Sequence, residues 1–379
     1  MDDPQLSLAG LRVLEIGGGI AAAYATRWMA GFGADVVRSE GADGELTGDE
    51  EVYLVAGKRR VAADSSELRR LALAADIVVE DQAPGALAAM AMGPLDLRAE
   101  RPELVVVSLT PFGQTGPYAG YKATNIVAHA MGGIMSLTGA ADRPPLVNGG
   151  SQAFYLAGLN GFSAALTAYF GALVHGEGDW LDISAQECAA GMTELYAPRT
   201  EYMDLPAGLR SGNHISAVWG IYPLADGFGG VCALARQIPA FFRVVGDPDL
   251  QEERFTDPMQ RLANDDELRA RLYAWFATKT KRDLLELGPA HKIPFGAVMT
   301  PADLLANESL AERHFFDEIA TAARPPAPVL PREGGEGRGE GRARAPGRPF
   351  LGLPWRGGDL HEPGADSESV RRDWLGGPA

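Results

Sequence analysis

The sequence predicts an α/β protein, a Rossmann-like doubly wound parallel sheet domain joined to a smaller α+β domain. Three observations carry that reading. Short apolar runs alternate with helical segments over the first 110 residues, as when parallel strands are joined by crossover helices. The first run breaks at Gly17-Gly18-Gly19 and opens directly into an alanine-rich stretch. A chain of 379 residues, 46% of them hydrophobic, exceeds what one core normally organises, so two domains are expected.

Leu11-Arg12-Val13-Leu14-Glu15-Ile16 is the first strand, and residues 21–32 form the helix that leaves it, closed by Gly33. Ala34-Asp35-Val36-Val37-Arg38 is the next strand, which makes the pair parallel. Residues 68–75 are helical, Asp76-Ile77-Val78-Val79-Glu80 returns to strand, and the loop 81–85 leads into another alanine-rich helix. Leu104-Val105-Val106-Val107-Ser108-Leu109 is apolar almost throughout, as a strand covered on both faces must be. Residues 125–138 and 155–175 are long, apolar and rich in Ala and Gly, predicting buried helices packed through small side chains. Trp180-Leu181-Asp182-Ile183-Ser184 is a further strand.

Trp219 to Leu224 and Gly230 to Leu234 flank Asp226-Gly227, a hairpin signal, and amphipathic helices follow at 238–245, 266–277 and 281–287, with another opening at 301–306. Residues 324–349 change character, dense in Pro, Gly, Arg and Glu; such a run buries too little apolar area to offset its ordering entropy. Packed chain resumes at 350–355. The expected organisation is therefore a large domain over 1–200 completed by 345–379, a linker over 201–218, a small domain over 219–323, and a flexible loop over 324–345.

A formal charge of −16 weighs against a nucleic-acid groove or an anionic membrane surface, since both need clustered Lys and Arg. Cys188 and Cys232 are too few for a disulfide framework or a zinc knuckle and read as small hydrophobes in a reducing cytosol. No basic and apolar leader opens the sequence, and no window approaches about 20 uninterrupted apolar residues. A cytoplasmic protein without a membrane span is the expectation.

Gly17, Gly19 and Ala22 match a dinucleotide-binding turn, with Glu40 near the place of a ribose-binding carboxylate. That spacing is common by chance, so a nicotinamide oxidoreductase rests on the turn alone. A wider set of segments points elsewhere. Leu8 to Glu15, Tyr24 to Arg27 running into Gly33 to Glu40, and Ala75 to Glu80 with Pro84-Gly85 are three of them. Phe112-Gly113-Gln114-Thr115-Gly116-Pro117-Tyr118, Ala130 to Gly139, Arg143 to Leu146, Asp182-Ile183-Ser184 and Pro354-Trp355 continue the series. In this order and over nearly the whole chain they resemble the class III CoA-transferases, the CaiB/BaiF family, which also holds the α-methylacyl-CoA racemases.

The resemblance implies coenzyme A or an acyl-CoA as substrate, no permanently bound cofactor, no metal, and an interlocked homodimer. It sets Arg38 and Lys122 near the CoA phosphates, with Lys58 and Arg59 on the same side. Charge-assisted contacts from such cations suit a diphosphate. Gln82, Pro84 and Gly85 fall in the loop that matches the family's adenine side, although Asp81-Gln82 stands where the family usually has Asn-Phe.

Members of that family use one aspartate as nucleophile. Its carboxylate attacks the acyl-CoA carbonyl, forms a mixed anhydride and releases CoA thiolate. It lies four residues before a glycine that here is Gly158, so the matching position is Phe154, and no carboxylate occurs from Leu146 to Val174. The nearest acids are Asp142 and Glu177. A racemase reading fails too, since its histidine position is Tyr121. His129 is the titratable group to watch, with Glu194, Tyr196 and His214 as weaker candidates. Two readings follow: a CoA-thioester-binding protein acting on an acyl-CoA by transfer through another route, isomerisation or lyase chemistry, or a non-catalytic subunit paired with an active paralogue in a heterodimer.

Overall fold

The structure, a computed structural model, describes residues 6–40, 46, 48–193, 196–202, 210–320, 342–347 and 366–376. Contacts divide the chain into a large unit of residues 1–134, 147–205 and 308–379 and a small unit of residues 135–146 and 206–307.

The large unit opens with β1 (Arg12–Ile16), α1 (Ile20–Gly31), β2 (Asp35–Ser39), α2 (Gly48–Val55), β3 (Arg59–Val61), α3 (Ser65–Ala74) and β4 (Ile77–Glu80). It continues through α4 (Ala86–Ala89), α5 (Pro94–Glu100), β5 (Val105–Thr110), α6 (Asn125–Met131), α7 (Gln152–His175), β6 (Trp180–Ser184), α8 (Ala185–Gly191) and α9 (Tyr196–Tyr202). Its six strands are ordered β3-β2-β1-β4-β5-β6 and all pair in parallel. This is the doubly wound arrangement expected from the alternation of strand and helix.

Successive side chains point to opposite faces, so the strands feed two cores. Val13, Val36, Ile77, Val79, Val105 and Val107 join α1 and α7 on one face. Leu14, Val37, Val78 and Val106 join α3 and α5 on the other, closed by Val370 and Trp374 of the last helix, Ser367–Leu375. That helix was invisible in the sequence pattern. It is tied down by Trp374 Nε1 donating to Asp35 Oδ2 at 2.8 Å and by an Arg371–Glu67 ion pair.

Small residues do let α7 approach closely: a Cβ on Gly158 would lie 2.6 Å from the Ala21 carbonyl oxygen and 3.2 Å from the Ala25 nitrogen. The expectation of a buried helix holds only for that inner face, however. Leu159, Phe170, Leu173 and Val174 are exposed. By length and composition α7 could cross a membrane; in the large unit its inner face instead packs on α1 and β5. The helix expected over 125–138 stops at Met131, because Gly133 takes φ +86° and a 3₁₀ turn, Ile134–Leu137, follows.

In the small unit β7 (His214–Ser216), β8 (Trp219–Leu224), β9 (Gly227–Cys232) and β10 (Phe295–Ala297) form an antiparallel sheet ordered β10-β9-β8-β7. One face packs on helices Ile238–Val245, Asp265–Phe276 and Lys281–His291 through Tyr222, Phe241, Phe242, Leu272 and Phe276. The predicted hairpin and its three helices are all present.

The domain boundaries differ from the expectation in four places. The linker of 201–218 ends early, because His214–Ser216 already pairs with β8. Residues 135–146 leave the large unit, since Ala140 bridges Ser211 and the Gly212 N–H donates to the Gly139 carbonyl at 3.1 Å. Residues from Glu308 onward group with the large unit instead of the small one. The last residues of the 324–345 loop form β12 (Arg342–Pro346), antiparallel to β11 (Phe316–Ala320). The rest of that loop and the segment 350–355 lie outside the described residues.

Candidate functional site

Strand order reverses between β1 and β4, and ligands of open α/β sheets bind in the crevice outside the carboxyl ends of the strands at such a point. Here the crevice is built from the Gly17–Gly19 turn after β1 and the 81–85 loop after β4. The loop is fastened by the Asp81 N–H donating to the Ile16 carbonyl at 3.3 Å and the Gln82 N–H donating to Glu80 Oε2 at 2.7 Å. Gly85, at φ +84°, turns it into α4. Asp81 does not face outward. Its carboxylate lies on the glycine turn, where a Cβ on Gly17 or Gly19 would collide with it. Burial, then repulsion from Glu15, pushes this acid up to about 6.

Two buried charged clusters flank the crevice on opposite faces of the sheet. On the α1 side Glu15, wholly buried, receives Lys58 Nζ at 2.8 Å, Thr26 Oγ1 at 2.6 Å and the Arg38 guanidinium. Burial would raise this carboxyl, but the charges of Arg38 and Lys58 outweigh it and hold it low. Burial takes Lys58 the other way, down to about 8. On the α3 side Glu80 lies beside Ser108, whose Oγ also accepts Trp180 Nε1 at 3.0 Å. Burial pushes Glu80 up to about 7, with Asp81 and Asp182 adding repulsion.

This second cluster predicts a pH dependence. Glu80 is a carboxyl raised in the folded state, from 4.5 to about 7. The folded chain therefore binds more protons than the unfolded chain in that window, and stability falls as pH rises through it. Asp81 acts in the same sense between 3.8 and about 6. Glu80→Gln is expected to flatten this fall and to raise stability at pH 8 by about 2 kcal/mol. Urea unfolding at pH 5, 6, 7 and 8 checks it; parallel curves for the two proteins would contradict it.

The cations expected at a CoA phosphate part company. Lys58 has no exposed surface, and its ammonium is spent on Glu15 and on the Ala23 carbonyl at 2.8 Å. It has no face for a phosphate, and its expected role gives way to a structural one. Arg59 lies at the sheet edge and is held by Asp35 (Nε to Oδ1 2.9 Å) and Asp373 at 2.9 Å, an equally structural commitment. Arg38 is nearly buried against Glu15. Lys122 is exposed and, among the described residues, pairs with no carboxylate. Beside it Phe112, Tyr118 and Tyr121 form a ring cluster with centroids 5.4–6.5 Å apart.

His129 is 2% exposed; burial lowers its pKa, and Nδ1 has no hydrogen-bond partner among the described residues. That is a core imidazole on α6. Glu40, the ribose-binding candidate, is paired with Arg60 at 2.9 Å. His214 packs on Tyr222 and Tyr273 in the small unit, and Glu194 lies outside the described residues.

Phe154 is the third residue of α7 and belongs to the apolar core under α1. Tyr155 meets Tyr24 with centroids 4.7 Å apart, and Phe162 meets Phe32 at 6.2 Å, so α7 runs alongside α1 in the same direction. Phe154, one turn before Gly158, therefore lies toward the head of α1. No carboxylate stands on α7, and Asp142 and Glu177 are both exposed, the one in the small unit and the other beyond the helix's far end.

The family model described as CoA-transferase family III matches residues 8–349. The chain belongs to that family. Among relatives of CoA-transferase family III, the probable CoA-transferase Rv1866 of Mycobacterium tuberculosis is 33% identical over 316 residues, which is 75% of this chain and 38% of that protein. The chain thus spans well under half of that relative. The succinyl-CoA:(R)-benzylsuccinate CoA-transferase subunit BbsE of Thauera aromatica is 27% identical over 327 residues, covering 77% of this chain and 79% of BbsE. Among solved structures, a CAIB/BAIF family protein from Brucella suis superposes with a TM-score of 0.78 at 25% identity, over 98% of this chain and all of that one.

Sequence reasoning missed Glu15, Glu80 and the inward turn of Asp81 in this CoA-transferase family III chain. The first two carried a signal: each is the one acid of its strand, Glu15 beside the last residue of β1 and Glu80 the last of β4, among apolar neighbours where an unpaired charge is not tolerated.

Proposed function

We propose that the chain binds a CoA thioester in the crevice of its large unit and acts on the acyl group without an aspartyl anhydride. The observation that carries this is the pairing of family membership over residues 8–349 with an α7 that bears no carboxylate and has a buried phenylalanine, Phe154, at the position the resemblance implies for the nucleophile. Lys122, exposed and uncommitted among the described residues, is the cation proposed to hold a CoA phosphate. Gln82, Pro84 and Gly85 are proposed to line the same crevice, with Arg38, paired to Glu15, lending its charge from behind. Chemistry confined to the acyl group, an isomerisation or a lyase step, needs no acyl-accepting side chain and fits this set best. A homodimer is proposed, with the exposed apolar face of α7 as part of its interface.

A second reading has its own support: BbsE is named as a subunit of a transferase, so a chain without the nucleophile suits the place of a partner subunit. One assay separates the two. The purified chain is incubated in deuterium oxide with a panel of acyl-CoAs, with and without an acceptor acid, and the products are weighed by mass spectrometry. Deuterium uptake or isomerisation without acceptor supports the first reading. Silence alone, followed by transfer only when a paralogue is added, supports the second and overturns the first.

A further inference from the structure

We infer that Asp81 is an internal anion occupying the diphosphate cradle of the glycine turn, and so determines which phosphate ligands this fold refuses. This does not rest on the proposed CoA chemistry. A strand, a glycine turn and the N-terminus of a helix of 12 residues, α1, make the arrangement that elsewhere receives a diphosphate, because free N–H groups and the helix dipole both favour negative charge there. In this chain that place is taken. Both Asp81 oxygens are sealed from solvent and lie over Gly17 and Gly19. The Gly19 and Ala22 amides approach the carboxylate and favour its charge, yet neither closes a straight hydrogen bond. The side chain is held by the field and shape of the turn.

Electrostatics agree with the geometry. Arg38 and Lys58 are buried behind the turn and share one carboxylate, Glu15. A second negative charge at Asp81 balances them, and a diphosphate arriving at the same place would meet that charge at contact distance. The glycines of the turn thus serve an internal ligand. A nicotinamide dinucleotide, whose diphosphate needs this cradle, is excluded by a residue of the chain itself.

The test is calorimetric titration of inorganic pyrophosphate into the wild type, Asp81→Gly and Asp81→Asn. Asp81→Gly is expected to gain a pyrophosphate site at least tenfold tighter than any in the wild type, weakening as salt rises. Asp81→Asn, whose amide still fills the space, gains none. Adding Gly19→Ala to Asp81→Gly puts a methyl into the cradle and removes the new site. If Asp81→Gly does not fold, Asp81→Ser opens the same space and decides in its place. Pyrophosphate binding no tighter in the folded variant than in the wild type overturns the inference, as does a new site that survives Gly19→Ala.

Discussion

Glu15→Ala is expected to destabilise the chain by about 3–5 kcal/mol, the cost of leaving a buried charge without its partner. Glu15 has no exposed surface and receives Arg38, Lys58 and Thr26 at once. Its removal strands the Lys58 ammonium, itself wholly buried, with only the Ala23 carbonyl for company. The loss has a pH signature. Lys58 already sits below its usual value of 10.5, at about 8, and without Glu15 it falls further. A folded lysine depressed in this way binds fewer protons than the unfolded one, so stability rises with pH up to the unfolded value. The variant is therefore expected to recover part of its deficit between pH 7 and 9.5, as Lys58 sheds its charge. Urea unfolding at both pH values checks it, and a loss under about 1 kcal/mol at pH 7 would mean that the cluster is hydrated or slack.

Phe154→Asp is the second large effect, expected to cost at least about 3 kcal/mol. Deleting a buried phenylalanine costs roughly 3–5 kcal/mol in burial and cavity, and the new carboxylate adds desolvation. Against this stands the position itself. Residue 154 is the third of α7, in the first helical turn, where a negative charge gains about 0.3–1 kcal/mol from the dipole. Exchange of labelled acids into acyl-CoA is expected to rise at least tenfold over the wild type in the variant, provided it is assayed below its lowered melting temperature. A wild type that already exchanges acids at the variant's rate would remove Phe154 from the account.

Much of the architecture was legible because period and composition are local properties. The runs ending at Ile16, Glu80 and Leu109 became β1, β4 and β5, and the helix predicted over 238–245 matches Ile238–Val245. Elements set by tertiary contact were not legible. β3 is three residues with two arginines, and it exists because it completes the sheet edge beside β2. His214–Ser216 falls within the expected linker, since a strand of that length has no period of its own. At the site the limit was different. The residue types near the crevice were visible, but not which cations were already taken. Lys58 and Lys122 look alike in a sequence; one is buried on Glu15 and the other faces solvent. Asp81 likewise reads as a surface loop acid until the glycines beneath it are seen to make room for it.

The central claim, a CoA-thioester crevice in the large unit, is tested most directly by calorimetric titration of the purified chain with free CoA and acetyl-CoA. The account predicts saturable binding of both, weakened about tenfold in Lys122→Ala, equivalent to about 1.4 kcal/mol for one lost phosphate contact. A folded protein that binds neither ligand, or a Lys122→Ala variant that binds both as tightly as the wild type, would contradict it.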